Sequence, residues 1–215
     1  MRAFITFEGI EGSGKTTQIQ LLSTHLDQAG VEHLLTREPG GTRAGNQIRR
    51  LLLDPENRDL SPLAELLLYQ AARAQHLARV IVPALAEEKV VLCDRYKDAT
   101  RAYQGKGRQL PGELVEQLNR LDLLALEPDL TLLFDLDPAT ALGRARRREG
   151  SAPTEQSRFE QESMEFHQRV REAYRALAAA SPQRIRVVDA AGSIEAVQAR
   201  ALSVLKAVFP ALAIA

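Results

Sequence analysis

The stretch Gly9-Ile10-Glu11-Gly12-Ser13-Gly14-Lys15-Thr16-Thr17 fits the pattern G-x-x-x-x-G-K-[ST]. No other part of the chain constrains the fold as much, because this pattern needs a strand before it and a helix after it. Residues 3–8 are aromatic and β-branched with no turn residue, and read as a buried strand. Residues 17–28 carry isoleucine or leucine at 19, 21, 22 and 26, a helical spacing. Gly9, Gly12 and Gly14 allow a tight turn whose N–H groups converge on phosphate oxygens. The helix that follows aims its positive end at the same point. Lys15 supplies a mobile charge for β- and γ-phosphates, and Thr16 offers a hydroxyl to Mg²⁺. Residues 9–17, including Ile10, Ser13 and Thr17, are thus candidates for holding a nucleotide. The plain alternative is a glycine-rich turn that only caps a helix.

Strand and helix signals alternate along the rest of the chain. Residues 32–36 read as a second strand, and the Pro and Gly content of 37–42 makes a loop. Thr42 is placed to cap a helix over 43–53. Pro62 suits the first turn of a long helix running to about 87, which Pro83 kinks or splits. Residues 89–93 make a third strand, followed by a helix over 97–104 and a break at Gly105-Lys106-Gly107. Residues 112–125 and 159–179 have helical periodicity, and 129–136 and 184–188 read as strands four and five. Pro138 opens a helix that runs into Arg144–Arg148, and Ser193 caps a last helix over 193–208. Five short, mostly continuous apolar strands alternating with helices imply an α/β fold. The expected form is a doubly wound five-stranded parallel sheet of P-loop NTPase type, with helices on both faces. Ligands of such sheets sit at the carboxyl ends of the strands. Glu8, Arg37, Asp94 and Arg95 all fall on that edge.

Composition narrows the function classes. Lys+Arg and Asp+Glu both number 28, a balance that argues against generic binding to nucleic acid or to an anionic membrane. No apolar run approaches the ~20 residues that span a bilayer. The apolar stretch at the start meets the glycine loop within eight residues, too soon for a secretory signal, so a cytoplasmic chain is expected. The single cysteine, Cys93, lies in an apolar setting and reads as a buried thiol with no nucleophilic role.

A glycine loop indicates a nucleotide without naming a reaction. Arg37 and Arg95 each follow a strand on the edge that carries the loop, and two guanidiniums converging there suit a second phosphate. Asp94 either holds Mg²⁺ through water or pairs with a neighbouring cation. The run from Phe7 to Thr17, the loop from Thr36 to Thr42, Ala71-Ala72-Arg73-Ala74-Gln75-His76, Asp94-Arg95-Tyr96 through Gln104, and Pro128-Asp129-Leu130-Thr131 with Asp135 and Pro138 together resemble the bacterial thymidylate kinase family. The resemblance runs from residue 4 to about 190.

The resemblance implies one nucleoside monophosphate kinase domain over 1–215, with a lid at about 144–158. Its reaction would be transfer of the γ-phosphoryl group of ATP to dTMP, with Mg²⁺, in dTTP biosynthesis, and its usual state a homodimer. Arg37 and Arg95 match the clamps on the dTMP phosphate. Tyr69 matches the stacking aromatic, and Arg73 the arginine that reads a thymine carbonyl. Thr100 and Gln104 match polar groups at the base, and Tyr103 a ring beside the deoxyribose. Glu11 matches a loop carboxylate near the 3′-hydroxyl. Taken alone, Tyr69 reads as core packing and Thr100 as helix surface. Ala99 and Ser157 depart from the family pattern, which usually has Ser and Asp there. Arg144 is placed near the adenine, with the loop after strand five. Some family members carry an arginine beside the loop carboxylate, but here that position is Gly12. The catalytic cation beyond Lys15 and Arg95 is then expected from the lid, with Arg147 or Arg148 as candidates. A kinase acting on another nucleoside monophosphate or a small metabolite is the nearest alternative. A GTPase switch would need an N-K-x-D segment, which the chain lacks. A nucleotide-binding scaffold without activity is disfavoured by the complete Gly14-Lys15-Thr16 and Asp94-Arg95.

Overall fold

The computed structural model describes residues 2–149 and 158–212. Five strands, β1 (Ala3–Glu8), β2 (His33–Arg37), β3 (Val90–Asp94), β4 (Leu130–Asp135) and β5 (Ile185–Asp189), form one sheet in the order β2-β3-β1-β4-β5. All four pairings are parallel, in the registers Phe4↔Val91, Ile5↔Leu130, Leu34↔Val91 and Leu133↔Val187 among others. β1, at the centre, is buried at every residue, whereas the edge strands β2 and β5 alternate with exposed positions. That contrast explains why β1, β3 and β4 are near-continuous apolar runs and the edges are not.

Period-two alternation divides the sheet between two layers of helices. Ala3, Ile5 and Phe7 share a buried cluster with Ile19, Leu22 and Leu26 of α1 (Lys15–Gln28) and Val197, Ala201 and Leu205 of α9 (Ile194–Val208). Phe4, Val91 and Cys93 pack instead with Leu77, Ile81 and Leu85, which follow α3 (Pro62–His76). Cys93 is buried and its Sγ points to the Arg95 carbonyl at 3.1 Å, in keeping with an inert core thiol. The remaining helices are α2 (Arg43–Leu53), α4 (Val82–Ala86), α5 (Lys97–Thr100), α6 (Gly112–Asn119), α7 (Pro138–Glu149) and α8 (Met164–Ala180).

Four boundaries differ from the sequence expectation, each for a local reason. The helix from Pro62 does not break at Pro83. It widens into a π-helical turn at Leu77–Ile81, just before the proline, where a wider turn makes room for a ring that clashes with the carbonyl four residues back. Gly105-Lys106-Gly107 does not break its helix either. The segment Arg101–Gly107 is π-helical, and Gly107 lies so close under Phe166 of α8 that a Cβ would come within 2.8 Å of the ring. Packing there overrides the weak helix propensity of glycine. The helix over 112–125 stops at Asn119, which accepts a bond from Gln70 at 2.9 Å, and resumes as the 3₁₀ turn Asp122–Ala125. Residues 158–161 form a separate 3₁₀ turn, because Ser163 caps α8 through the Phe166 N–H at 3.3 Å.

A buried carboxylate ties the second layer to the sheet. Asp98 of α5 accepts from Arg184 at 2.6 and 3.0 Å, from Arg101 at 2.8 Å and from Thr131 of β4 at 3.3 Å. Burial opposes its ionisation, but Arg184 and Arg101 outweigh burial and hold the carboxyl below its ordinary range. A folded-state value below the unfolded one adds stability above the unfolded pKa of about 4, and that stability is lost as pH falls through the folded value. Asp98→Ala should therefore cost about 1.5–3 kcal/mol near neutral pH, since it removes charge-assisted bonds from Arg184 and from Arg101, which keeps Glu116. The gap between wild type and variant in denaturant unfolding should shrink below about pH 4; a gap that does not change with pH would contradict this account.

Candidate active site

The sheet order reverses direction at β1, so the crevice beside its carboxyl end is open for a ligand. The glycine loop starts there. Gly12 has φ 74° and its missing side chain is replaced by the Ala141 backbone of α7; a Cβ would come within 1.9 Å of that carbonyl. Gly14, in the left-handed region at φ 90°, is the N-cap of α1 and turns the chain from loop to helix. Lys15 folds back on the loop. Its Nζ donates to the carbonyls of Gly9 at 2.9 Å and Ile10 at 2.8 Å, and to Ser13 Oγ at 3.4 Å. Burial and the nearby Arg95 guanidinium lower its pKa to about 8.

Thr16 Oγ1 lies 3.2 Å from Asp94 Oδ2, so a hydroxyl and a carboxylate from the loop helix and β3 meet at the mouth of the crevice. Such hard oxygen donors fit Mg²⁺, which usually takes one or two protein ligands and completes its shell with phosphate and water. No cluster of three or more His, Cys, Asp or Glu suited to a metal occurs among the described residues, so Thr16 and Asp94 are the pair that would hold it.

Beside the loop stands Arg95, with φ 69°, a conformation rarely adopted by residues other than glycine. Its Nη1 donates to the Gly9 carbonyl at 2.9 Å and its Nη2 to Glu11 Oε1 at 2.8 Å, while the guanidinium lies 4.9 Å from the Tyr103 ring centroid. The Tyr103 hydroxyl contacts both Glu11 oxygens at 2.8 and 2.7 Å. Burial works against the Glu11 charge, but Arg95, Lys15 and Tyr103 prevail and hold the carboxyl below its ordinary range.

A cavity of about 240 Å³ extends from the loop to α3. Near the loop its wall includes Lys15, Thr16, Asp94 and Arg95; further along it includes Pro39, Leu53, Tyr69, Arg73, Thr100, Tyr103, Gln104 and Phe159. Arg73 is fully buried, and among the described residues it donates to Glu38 at 2.7 Å, Gln70 at 3.2 Å and Thr100 at 2.9 Å. A guanidinium has five donor hydrogens, so those three bonds leave two that a ligand can take. Gln104 is held by the buried Glu65 at 2.6 Å. Tyr69 lies 6.5 Å from Phe159, ring to ring. Thus Tyr69, Arg73, Thr100, Tyr103 and Gln104, distant in sequence, share one wall.

Arg37 is the exception among the acceptor-site candidates. It is exposed and absent from the cavity wall. After β2 the chain turns sharply, with Glu38 N–H donating to the Asp94 carbonyl at 2.9 Å and Glu38 bonding Arg73 and His76. That turn brings Glu38 and Pro39 to the cavity in place of Arg37. Another guanidinium, Arg49 of α2, lines the cavity and donates to the Pro39 carbonyl at 3.1 Å. Burial and the nearby Arg37 charge lower the Arg49 pKa. Sequence periodicity marks 43–53 as a helix but cannot show that it folds back over the 37–42 loop, so Arg49 was not foreseen. Nor was Phe159, read as part of a long helix.

At the other end of the loop, Arg144 donates to the carbonyls of Ala190 at 3.0 Å and Gly192 at 3.4 Å, which joins the start of the expected lid to the loop after β5. Arg146 and Arg147 are exposed and do not line the cavity. The side chain of Arg148 and residues 150–157, including Ser157, lie outside the described residues.

With this geometry in place, comparison with known proteins gives a single answer. The thymidylate kinase family model matches residues 7–201. The thymidylate kinase of Pelobacter propionicus is 55% identical over 196 residues, covering 91% of this chain and 90% of that protein. That of Symbiobacterium thermophilum is 49% identical over 210 residues, covering 98% and 95%. The crystal structure of thymidylate kinase from Ehrlichia chaffeensis superposes with a TM-score of 0.76 at 37% identity, over 95% of this chain and 98% of that one. On the sheet order, the glycine loop and these likenesses together, the chain belongs to the thymidylate kinase family.

Proposed function

We infer that this chain transfers the γ-phosphoryl group of ATP to dTMP, giving ADP and dTDP for dTTP synthesis. The observation that carries the reading is the cavity itself. It joins a phosphate-binding loop to a wall bearing Tyr69, Arg73, Thr100 and Gln104, so a donor's last phosphate and an acceptor's base fit one continuous space. The acceptor phosphate oxygen is already anionic near neutral pH, so the chain needs no strong general base; positioning and charge stabilisation suffice. The loop N–H groups and Lys15 hold the donor phosphates, with Lys15 exchanging loop carbonyls for phosphate oxygens. Arg95 and Arg49 clamp the acceptor phosphate. Tyr69 and Phe159 flank the base, and the two spare donors of Arg73 meet a thymine carbonyl. Glu11, released in part from Arg95, faces the sugar beside Tyr103. Mg²⁺ at Thr16 and Asp94 would screen the donor phosphates. A homodimer in the cytoplasm completes this reading.

The test is a coupled ADP-release assay across dTMP, dUMP, dCMP, AMP and shikimate, in which dTMP should be the preferred acceptor by kcat/KM. Arg73 presents donors to the base, so cytosine, whose exocyclic amine also donates, leaves them unpaired. Arg73→Ala should reduce the preference for dTMP over dCMP by about 10²-fold or more. An unchanged ratio would remove Arg73 from the role of base reader.

Lys15 gives a pH signature. Its lowered pKa of about 8 means that without ATP half of this charge is lost by about that pH. Phosphates restore the charged form, so ATP binding should take up a proton at slightly alkaline pH. Calorimetry in two buffers of different ionisation enthalpy reads that uptake, and Lys15→Ala should abolish it along with most turnover. Equal heats in both buffers would refute the assignment.

The lid supplies a further cation on closure. A side chain at Gly12 would collide with Ala141, so no loop arginine is possible there. Single Arg→Ala variants at 144, 146, 147 and 148 should include one, with Arg147 and Arg148 favoured, that loses about a hundredfold or more in kcat with dTMP affinity unchanged. Four variants within a few-fold of wild type would exclude a lid arginine.

A further inference from the structure

Glu8 is the last residue of β1 and is fully buried, yet it has no place in the reaction described above. Its two oxygens go to opposite ends of one residue, Arg95. Oε1 accepts the N–H of Tyr96 at 2.8 Å and that of Ala99 at 3.1 Å, which fixes the peptide leaving Arg95. Oε2 accepts the Tyr174 hydroxyl at 2.7 Å, and that hydroxyl in turn accepts from Arg95 Nη1 at 3.3 Å. Arg95 needs such support. Its φ of 69° lies in a region L-residues avoid, and it is held on the near side by the bond from its N–H to the Phe7 carbonyl at 3.0 Å. On the far side the next peptide is held by the two Glu8 bonds and by Cys93 Sγ, 3.1 Å from the Arg95 carbonyl. Tyr174 comes from α8, and the same Nη1 donates to its hydroxyl and to the Gly9 carbonyl, so α8 and the glycine loop both hold the guanidinium.

We propose that Glu8 and Tyr174 form a buried cradle that sets the position of Arg95, making both of them positioning residues for the acceptor phosphate. Neither touches substrate. Glu8 sets the backbone conformation from which Arg95 projects, and Tyr174 sets where its guanidinium rests. The pair thereby governs how readily Arg95 turns from Glu11 to an incoming phosphate. The cradle rests on the reading of Arg95 as an acceptor-phosphate clamp.

Thymidine and dTMP separate this role from general structural support, because only dTMP carries the group that Arg95 clamps. Tyr174→Phe removes one hydroxyl and keeps the ring that packs against Tyr103 at 6.2 Å. Glu8→Gln keeps an acceptor for the Tyr96 and Ala99 N–H groups but not for the Tyr174 hydroxyl. Each should weaken dTMP binding by ~3–10-fold, the scale of one hydrogen bond, measured by calorimetry on the full chain. Thymidine affinity and the KM for ATP should stay at wild-type values. In an Arg95→Ala background, Tyr174→Phe should have no further effect, since a positioning residue acts only through the residue it positions. If Arg95→Ala weakens dTMP binding while Tyr174→Phe and Glu8→Gln leave it at wild type, the cradle is refuted and the clamp stands. Equal losses for thymidine and dTMP, or an undiminished effect of Tyr174→Phe without Arg95, would also refute the cradle. If Arg95→Ala itself leaves dTMP affinity intact, the clamp reading falls and the cradle with it.

Discussion

Two cations, the buried Lys15 and the half-buried Arg95, stand beside each other at the end of β1. Taking a charge from water costs several kcal/mol unless partners replace the lost hydration, and a second like charge nearby adds to that cost. Glu11 makes the arrangement possible. It bonds Arg95 directly and its charge favours the ammonium of Lys15, while Tyr103 fixes its orientation from α5's continuation. Loop carbonyls take two bonds from Lys15 and one from Arg95. Even so, Lys15 is left with a lowered pKa, which measures how far this compensation falls short. A polyanionic ligand would complete it. The site is thus a set of oriented donors held together by contacts of the kind that phosphate oxygens can replace.

The sheet places these groups with little freedom. Parallel order β3-β1-β4 puts the ends of β1 and β3 side by side, with Phe7 level with Asp94. Arg95 follows Asp94 directly and the glycine loop begins two residues after Phe7, so strand spacing brings Arg95 beside the loop. The base wall is built differently. Arg73, Thr100 and Gln104 come from two helices of the second layer, and Glu38 and Glu65 hold them in place. The two ends of the cavity are thus held by different means, one by the sheet and the other by buried ion pairs.

Much of this was legible in the sequence, and what was not has a physical explanation. The glycine loop, its strand and its helix are adjacent in the chain, so one local pattern defined all three. Asp94 and Arg95 were legible because strand ends in a parallel sheet share an edge. Arg37 was assigned by the same rule, but it is exposed and outside the cavity wall, because the turn at Glu38 and Pro39 directs the following residues inward. The rule identifies the edge, but the hydrogen bonds after the strand decide which side chain turns inward. Arg49 and Phe159 depend on contacts between segments remote in sequence, and no periodicity carries that information. Gly105 and Gly107 were read as a break because propensity is local, whereas their helix is held by α8 from outside. Glu8 was counted with the charged groups of the edge, but its work lies in bonds to residues almost ninety positions away.

The two described ends of the lid region are fastened to different halves of the site. Arg144, on the side where the lid begins, is bonded to carbonyls of the loop after β5. Arg158, where the chain becomes describable again, is buried and bonded to Glu65 at 2.6 Å. Glu65 is the same carboxylate that holds Gln104 in the base wall, and it also takes Arg108 at 3.1 Å. Phe159 then follows Arg158 directly into the cavity, against Tyr103 at 5.6 Å between ring centroids. One buried charge therefore carries three cationic or amide donors and sets the base wall and the lid's return together. Removing any one donor leaves the others to share a carboxylate in low dielectric, so their positions are energetically coupled. The chain's return at Arg158 and the cavity wall at Gln104 are thus held by one and the same carboxylate.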